Sequence, residues 1–235
     1  MLNLLNELTL ELNHTHMAEF KKVWEQFRNA LKKRGVRTVT HDEAYLAWLL
    51  IQKLKPRAML ELGGQHGHSG IIFSDAMKRI GGLFITVELG NTPDNKYPPE
   101  SCGTLEFLPD DDPSIIKVWG DANKLLLELL KKYPIDLVFH DADHTWDHVE
   151  SNVKSILDFD PTITQLCHDC AEGMWNPDVE TKYGRICAER PVFDKYFLNN
   201  ENYLYTIFED KYGLGIAIHN GKTPQTNRQS SQKEN

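Results

Sequence analysis

The sequence has no long apolar run and no excess of basic residues, and its first residues are not expected to act as a secretory signal. No apolar stretch approaches the roughly 20 residues that a helix needs to cross a bilayer, so we expect no membrane partner. The N-terminus, MLNLLNELTLELNHTH, has no basic start and carries glutamates among its leucines, which favours a cytoplasmic protein. The net charge of −8, from 26 basic and 34 acidic residues, argues against a nucleic-acid partner.

The 235-residue chain is also poor in cysteine, with four in all. Cys167 and Cys170 form one C-x-x-C pair, but a structural zinc site needs a second pair of ligands at similar spacing. Cys102 and Cys187 stand alone in the sequence. We therefore expect reduced thiols instead of a zinc knuckle or a disulfide framework.

Periodic apolar residues divide the chain into helices and strands. Residues 17–34 and 42–54 have helical spacing, and Thr40 with Glu43 forms a capping box before the second helix. Short apolar runs then alternate with helical segments, which is typical of parallel βαβ units. The predicted strands span residues 58–62, 83–88, 115–119, 135–140, 162–168, 203–208 and 213–219, and the intervening helices 69–80, 122–133, 147–157 and 191–198.

This order predicts an α/β fold with a doubly wound, mostly parallel sheet. The last two strands are separated by the turn EDKY and are expected to close the sheet as an antiparallel hairpin. Residues 36–220 would form the main domain, and residues 221–235 a disordered tail. Residues 1–35 would form a helical extension that serves as a lid, a packing helix or the contact of a homodimer.

A glycine-rich turn, MLELGGQHGHSG, follows the first predicted strand. Nucleotides bind at this position of doubly wound sheets, but the spacing is neither G-x-G-x-x-G nor that of a Walker loop. A cofactor with an adenosine and no phosphate, S-adenosylmethionine (SAM), fits better. Glu88, at the end of the second strand, could bind its ribose, and Asp121 its adenine amino group. The alternative is a tight turn without a ligand, which leaves Glu88 and Asp121 unexplained.

The order E-x-G-x-x-x-G-x-S, strand-ending Glu, G-D-A and strand-ending Asp resembles the class I SAM-dependent methyltransferases. The turn LELGGQHGHSG is particularly similar to that of the catechol O-methyltransferase group. The resemblance covers residues 36–220 and implies a Rossmann-like, seven-stranded sheet. It also implies that Gly63, Gly67 and Ser69 contact the methionine portion of the cofactor. Glu88 would contact the ribose, and Asp121 and Ala122 the adenine. We add Glu61, the first residue of the motif, and Asp141 to the predicted cofactor-binding residues.

Acidic and histidine residues crowd the end of the fourth strand, in VFHDADHTWDHV. Asp141 follows this strand, and Asp169 follows the fifth, which is its neighbour in the family. Adjacent strands lie about 4.8 Å apart, so both carboxylates can reach one point. They would repel each other without a cation, and Mg²⁺ is the expected ion because it prefers oxygen ligands. Such an ion could lower the pKa of a substrate hydroxyl.

Asp141 and His144 also resemble the D-x-x-H of metal-dependent sugar and macrolide O-methyltransferases. The resemblance implies that His144 is the general base, a role that suits its ordinary pKa near neutrality. That branch has Glu-Asp at the fifth strand, where this chain has His168-Asp169. As a third ligand, His168 would favour Mn²⁺, Fe²⁺ or Zn²⁺, and the departure equally allows weak or absent metal binding.

The sequence thus predicts a SAM-dependent, metal-assisted O-methyltransferase that acts on a hydroxyl of a small molecule or sugar. Two alternatives stay open: a metal-dependent hydrolase or hydroxylase using Asp141, His144 and Asp169, and a binding module without activity. Residues 90–113 and 171–185 are expected to shape the acceptor pocket, with Trp175 and Tyr183 stacking on a ring.

Overall fold

The computed structural model describes residues 14–35, 39–92, 102–174 and 187–221. Within these ranges the helices are α1 (His14–Lys33), α2 (His41–Leu54), α3 (His68–Arg79), α4 (Ala122–Lys132), α5 (Trp146–Phe159) and α6 (Glu189–Phe197). The strands are β1 (Ala58–Leu62), β2 (Leu83–Glu88), β3 (Ile115–Trp119), β4 (Ile135–His140), β5 (Thr164–Cys167), β6 (Tyr203–Phe208) and β7 (Leu214–His219). No helix in this part of the chain is long and apolar enough to cross a membrane.

The strands form one seven-stranded sheet in the order β3-β2-β1-β4-β5-β7-β6. Strands β1 to β5 pair in parallel, whereas β7 runs antiparallel to both β5 and β6. The predicted fold class and terminal hairpin are therefore confirmed. Leu62 pairs with His140, and His140 pairs with Cys167, so the carboxyl ends of β1, β4 and β5 reach the same edge. This edge is where doubly wound sheets bind ligands.

Helix α2 shows how local sequence sets an element boundary. The Thr40 side chain accepts a hydrogen bond from the Glu43 N–H, and the Glu43 side chain accepts one from the Thr40 N–H, as the capping box predicts. The helix ends at Leu54, and its C-cap residue Lys55 has a left-handed φ of 50° directly before Pro56. A proline disfavours helical geometry in the residue before it, which accounts for the stop.

Helices cover both faces of the sheet. On one face, α1, α2 and α3 share a core with β1 and β2, and its largest buried side chains include Phe20, Phe27, Trp48 and Phe84. On the other face, α4 and α5 pack against β1, β2 and β4. Phe27 of α1 is fully buried in the first core, so this helix packs on the sheet domain, and its further role as a lid or a dimer contact stays a prediction. The division of the chain at residue 36 stays a prediction.

Several element boundaries differ by one to three residues from the sequence prediction, and two of these differences have a clear physical reason. The fifth strand was predicted over residues 162–168, but β5 ends at Cys167 because Asp169 has a left-handed φ of 58° that a strand cannot continue. Helix α6 begins at Glu189, two residues before Pro191. A proline is tolerated in the first turn, where its missing N–H would have no helical partner. The predicted tail lies mostly outside the described residues.

Candidate active site

The glycine turn lies between the ends of β1 and β4. Gly63 has a φ of 96°, and a Cβ atom there would stand 2.0 Å from the Asp141 carbonyl oxygen. Its N–H donates to the Val87 carbonyl oxygen at 2.9 Å, while the Asp141 N–H donates to Leu62 at 2.9 Å. Gly67, with a φ of 87°, precedes α3. The backbone thus places the predicted cofactor turn in contact with the strand end that carries Asp141.

Glu61 lies beneath this turn and is fully buried. Its carboxylate accepts hydrogen bonds from the Ser69 hydroxyl at 2.5 Å and the Thr86 hydroxyl at 2.7 Å. Burial raises the pKa of Glu61 to about 7, and the two hydrogen bonds oppose that rise. Glu61 and Ser69 therefore hold the turn against β2. Their direct contact with a cofactor stays a prediction.

Glu88 and Asp121 lie at the ends of β2 and β3, as the sequence places them. The Glu88 carboxylate accepts the N–H of Gln65 at 2.6 Å and that of Gly90 at 3.1 Å, so it already joins the glycine turn to the end of its own strand. Asp121 is the N-cap of α4 and accepts the Asn123 N–H at 2.9 Å. A carboxylate offers further lone pairs, so these bonds leave acceptor capacity for hydroxyl or amino groups.

The segment after β2 packs onto the same turn. The N–H groups of Leu105 and Phe107 donate to the carbonyl oxygens of Gln65 and His66 at 3.0 and 3.1 Å. Leu105 and Leu108 are buried in the core beside α3. This part of the predicted acceptor loop therefore supports the glycine turn. Residues 93–101, Trp175 and Tyr183 lie outside the described residues.

Asp141, His144 and Asp169 converge at the carboxyl edge of the sheet. One ligand atom from each lies within 4.8 Å of the others, and all three side chains are at most about one-fifth exposed. The His144 Nε2 atom is 3.8 Å from Asp169 Oδ2. Burial, together with the nearby Asp141 charge, raises the pKa of Asp169 against the opposing effect of the histidines. A positive charge between two such close carboxylates reduces their repulsion and favours their ionised forms.

His168 takes a different position in this cluster. Its Nδ1 atom is 3.5 Å from one oxygen of Asp141 and one of Asp169, and its Nε2 atom is 3.5 Å from Glu43 Oε2. Burial would lower the pKa of His168, but the surrounding carboxylates raise it well above its ordinary value. A protonated ring here neutralises the acidic residues around it. Its role as a metal ligand stays a prediction.

Glu189 is the site residue that sequence reasoning missed. Its carboxylate is buried at the start of α6 and bonds His144 Nδ1. Burial would lower the pKa of His144, but Glu189, followed by Asp141 and Asp169, raises it to about 9. The two residues are 45 positions apart, and no motif links them. The sequence signal was limited to an acidic residue in the first turn of a helix, which is usually read as a favourable helix dipole interaction.

Comparisons with known proteins agree with this geometry at the level of the fold. No family model and no curated protein matches the sequence. Among solved structures, the O-methyltransferase TomG from Streptomyces achromogenes, involved in tomaymycin synthesis and in complex with SAM, is 19% identical. That match covers 86% of this chain and 89% of TomG, with a TM-score of 0.60.

Two further structures give similar values. The O-methyltransferase from Bacillus cereus in complex with SAH is 18% identical, with 89% of this chain and 93% of that chain covered and a TM-score of 0.57. SAH-bound methyltransferase PaMTH1 from Podospora anserina is 16% identical, with 88% of both chains covered and a TM-score of 0.55. The chain therefore has the fold of the class I SAM-dependent O-methyltransferases.

Proposed function

We propose that the protein is a SAM-dependent O-methyltransferase that acts on a hydroxyl group of a small molecule or sugar. The observation that supports this proposal is the contact between the predicted cofactor turn and the acidic cluster. Gly63 of the predicted cofactor turn lies directly against the backbone of Asp141, whose side chain belongs to the cluster with His144 and Asp169. A methyl donor in the turn and a hydroxyl at the cluster would thus be neighbours, which supplies much of the acceleration in a displacement reaction.

The residues at the turn fit the proposed cofactor. Gly63 and Gly67 present backbone without side chains, and Glu88, the proposed ribose ligand, keeps acceptor capacity beyond its bonds to backbone N–H groups. Asp121 and the small Ala122 would meet the adenine, while Glu61 and Ser69 keep the turn in place. When bound, the cofactor would supply an activated methyl group, and these residues would orient it.

A divalent cation, with Mg²⁺ expected, fits between Asp141 and Asp169. The fit rests on the close approach of these carboxylates with the His144 ring and on the raised pKa of Asp169. His168, whose Nδ1 atom is 3.5 Å from an oxygen of each of these carboxylates, is the proposed nitrogen ligand, and His144 is kept as the proposed base. Such a cation would lower the pKa of an acceptor hydroxyl and offset the negative field around His144.

His144 is the proposed general base. Its Nδ1 atom is held by Glu189, which leaves Nε2 as the nitrogen that faces the Asp169 side of the cluster. With a pKa of about 9, the ring is protonated at neutral pH and cannot accept a proton. The base role therefore depends on positive charge near Asp141 and Asp169, which would lower that pKa. No observation on the described residues favours the hydrolase or hydroxylase alternative.

Calorimetric titration with S-adenosylhomocysteine tests the proposal, with and without Mg²⁺. We expect micromolar binding to the wild type. Asp121→Ala should weaken it, whereas Asp169→Asn should retain it and lose the effect of Mg²⁺. Glu106→Gln, which removes a charge from an exposed pair with Arg34, is the matched control. Absence of binding to the wild type under every metal condition would refute the methyltransferase assignment.

A further inference from the structure

His144 belongs to a second group of metal-ligating side chains. One of its ring nitrogens, the Cys187 sulfur and a Glu189 carboxylate oxygen lie within 4.8 Å of one another. The Nδ1 atom bonds Glu189, while Nε2 is the nitrogen near Asp169. The two groups of ligands therefore share one imidazole ring.

The Glu189 carboxylate has an oxygen without a partner. Glu189 is 1% exposed, and among the described residues its Oε2 atom has no hydrogen-bond partner. A buried polar atom without a partner is costly, by about 1–3 kcal/mol. Such atoms call for a specific explanation, and an absent ion is one of them. This atom is the independent sign of a ligand at the cluster.

The backbone holds the three side chains together. Cys187 is 9% exposed and lies two residues before Glu189, at the start of α6. The intervening Ala188 donates its N–H to the His144 carbonyl oxygen at 2.9 Å. This bond joins the segment that carries Cys187 and Glu189 to the turn that carries His144. The cluster is therefore built from two tethered segments.

We propose that His144, Cys187 and Glu189 form a second cation site, selective for thiophilic divalent ions such as Zn²⁺. Thiolate, imidazole and carboxylate are the three ligand types that bind zinc, and three protein ligands leave a fourth position for water. Tetrahedral zinc bonds place ligand atoms about 3.5 Å apart. The site would therefore form through a small adjustment of the side chains, in which the ion replaces the proton shared by His144 Nδ1 and Glu189. The thiolate disfavours Mg²⁺, which separates this site from the oxygen-rich pair Asp141 and Asp169.

Cobalt(II) spectroscopy on the reduced, metal-free protein tests this site without any activity measurement. A thiolate ligand gives bound Co²⁺ an intense near-ultraviolet charge-transfer band, which oxygen ligands do not give. We expect the band in the wild type and its loss in Cys187→Ser. Cys102→Ser, a buried thiol outside the cluster, is the matched control and should keep it. Asp169→Asn should also keep it.

Zinc affinity, measured by competition with a chromophoric chelator, should fall by more than roughly tenfold in Cys187→Ser and change little in Cys102→Ser. Thermal unfolding of each metal-free variant checks its fold, and Cys187→Ala serves if the serine variant unfolds. A wild type without the band, a band that survives loss of Cys187, or loss of the band in either control would overturn the proposal. Because no cofactor or substrate is present, these outcomes are independent of the methyltransferase assignment.

Discussion

Replacement of Glu189 by glutamine tests how the fold sets the protonation of His144. The substitution keeps the shape of the side chain and removes its negative charge. The pKa of His144 is raised from the ordinary 6.5 to about 9. This shift corresponds to about 3 kcal/mol of net favourable interaction with the charged ring. Glu189 makes the largest favourable contribution to that shift, ahead of Asp141 and Asp169. Burial acts in the opposite direction and is unchanged by the substitution.

In the Glu189→Gln variant we therefore expect the pKa of His144 to fall toward or below 6.5. The assay is the titration of the His144 ring by NMR in protein kept free of divalent ions. Glu106→Gln makes the same change in net charge at an exposed ion pair and should leave the pKa of His144 near 9. If His144 titrated near pH 9 in the Glu189→Gln variant as well, the buried pair could not be the cause of its raised pKa.

The same pair predicts how stability depends on pH. His144 has a folded-state pKa above its unfolded value, so its contribution to stability is fully present below about pH 6.5 and is lost as the pH rises through about 9. Denaturant unfolding of the ion-free wild type should show this decline between the two values. In Glu189→Gln the decline should be much smaller over that window. An equal decline in both proteins would contradict the assignment to His144.

Three further substitutions test the supporting structure. Gly63→Ala should lower the unfolding midpoint and abolish cofactor binding, because the backbone has a left-handed φ and the Cβ would meet the Asp141 carbonyl; the strain alone costs roughly 1–3 kcal/mol. Thr40→Ala should cost about 1 kcal/mol in denaturant unfolding, since it removes the cap that binds the Glu43 N–H. Glu61 has a folded-state pKa raised to about 7, so its contribution to stability is present below pH 4.5 and lost as the pH rises through 7. Glu61→Gln should therefore flatten the pH dependence in that window, and an unchanged slope would assign it to another group.

The sequence predicted the architecture because each element carries its own local signal. Apolar alternation located the strands, the capping box located the start of α2, and the turn before β7 indicated the hairpin. The expectation that the fourth and fifth strands are neighbours came from the family resemblance, since periodicity does not specify which strands pair. The ends of β5 and α6 were less well located. A left-handed Asp169 and a proline inside the first helical turn are decided by the packing around them.

The candidate site was predictable to the extent that its residues follow strands. Asp141 and Asp169 lie at the ends of parallel neighbours, so strand order alone brings their side chains together. Glu189 reaches His144 from a helix, and its approach depends on how α6 packs beside α5. No spacing in the sequence encodes that contact. Tertiary packing therefore sets the protonation state of the proposed base.

Local and tertiary roles meet in one buried side chain, that of Glu43. It closes the capping box of α2, and it also accepts the N–H groups of Tyr212 and Gly213 at 3.1 and 2.6 Å. Burial would raise the pKa of Glu43, but the His168 ring and the hydrogen bonds from the N–H groups of Thr40 and Gly213 lower it. Glu43 therefore stays ionised beneath His168 and favours a proton on that ring. A capping motif that reads as purely local thus sets part of the charge of the candidate site.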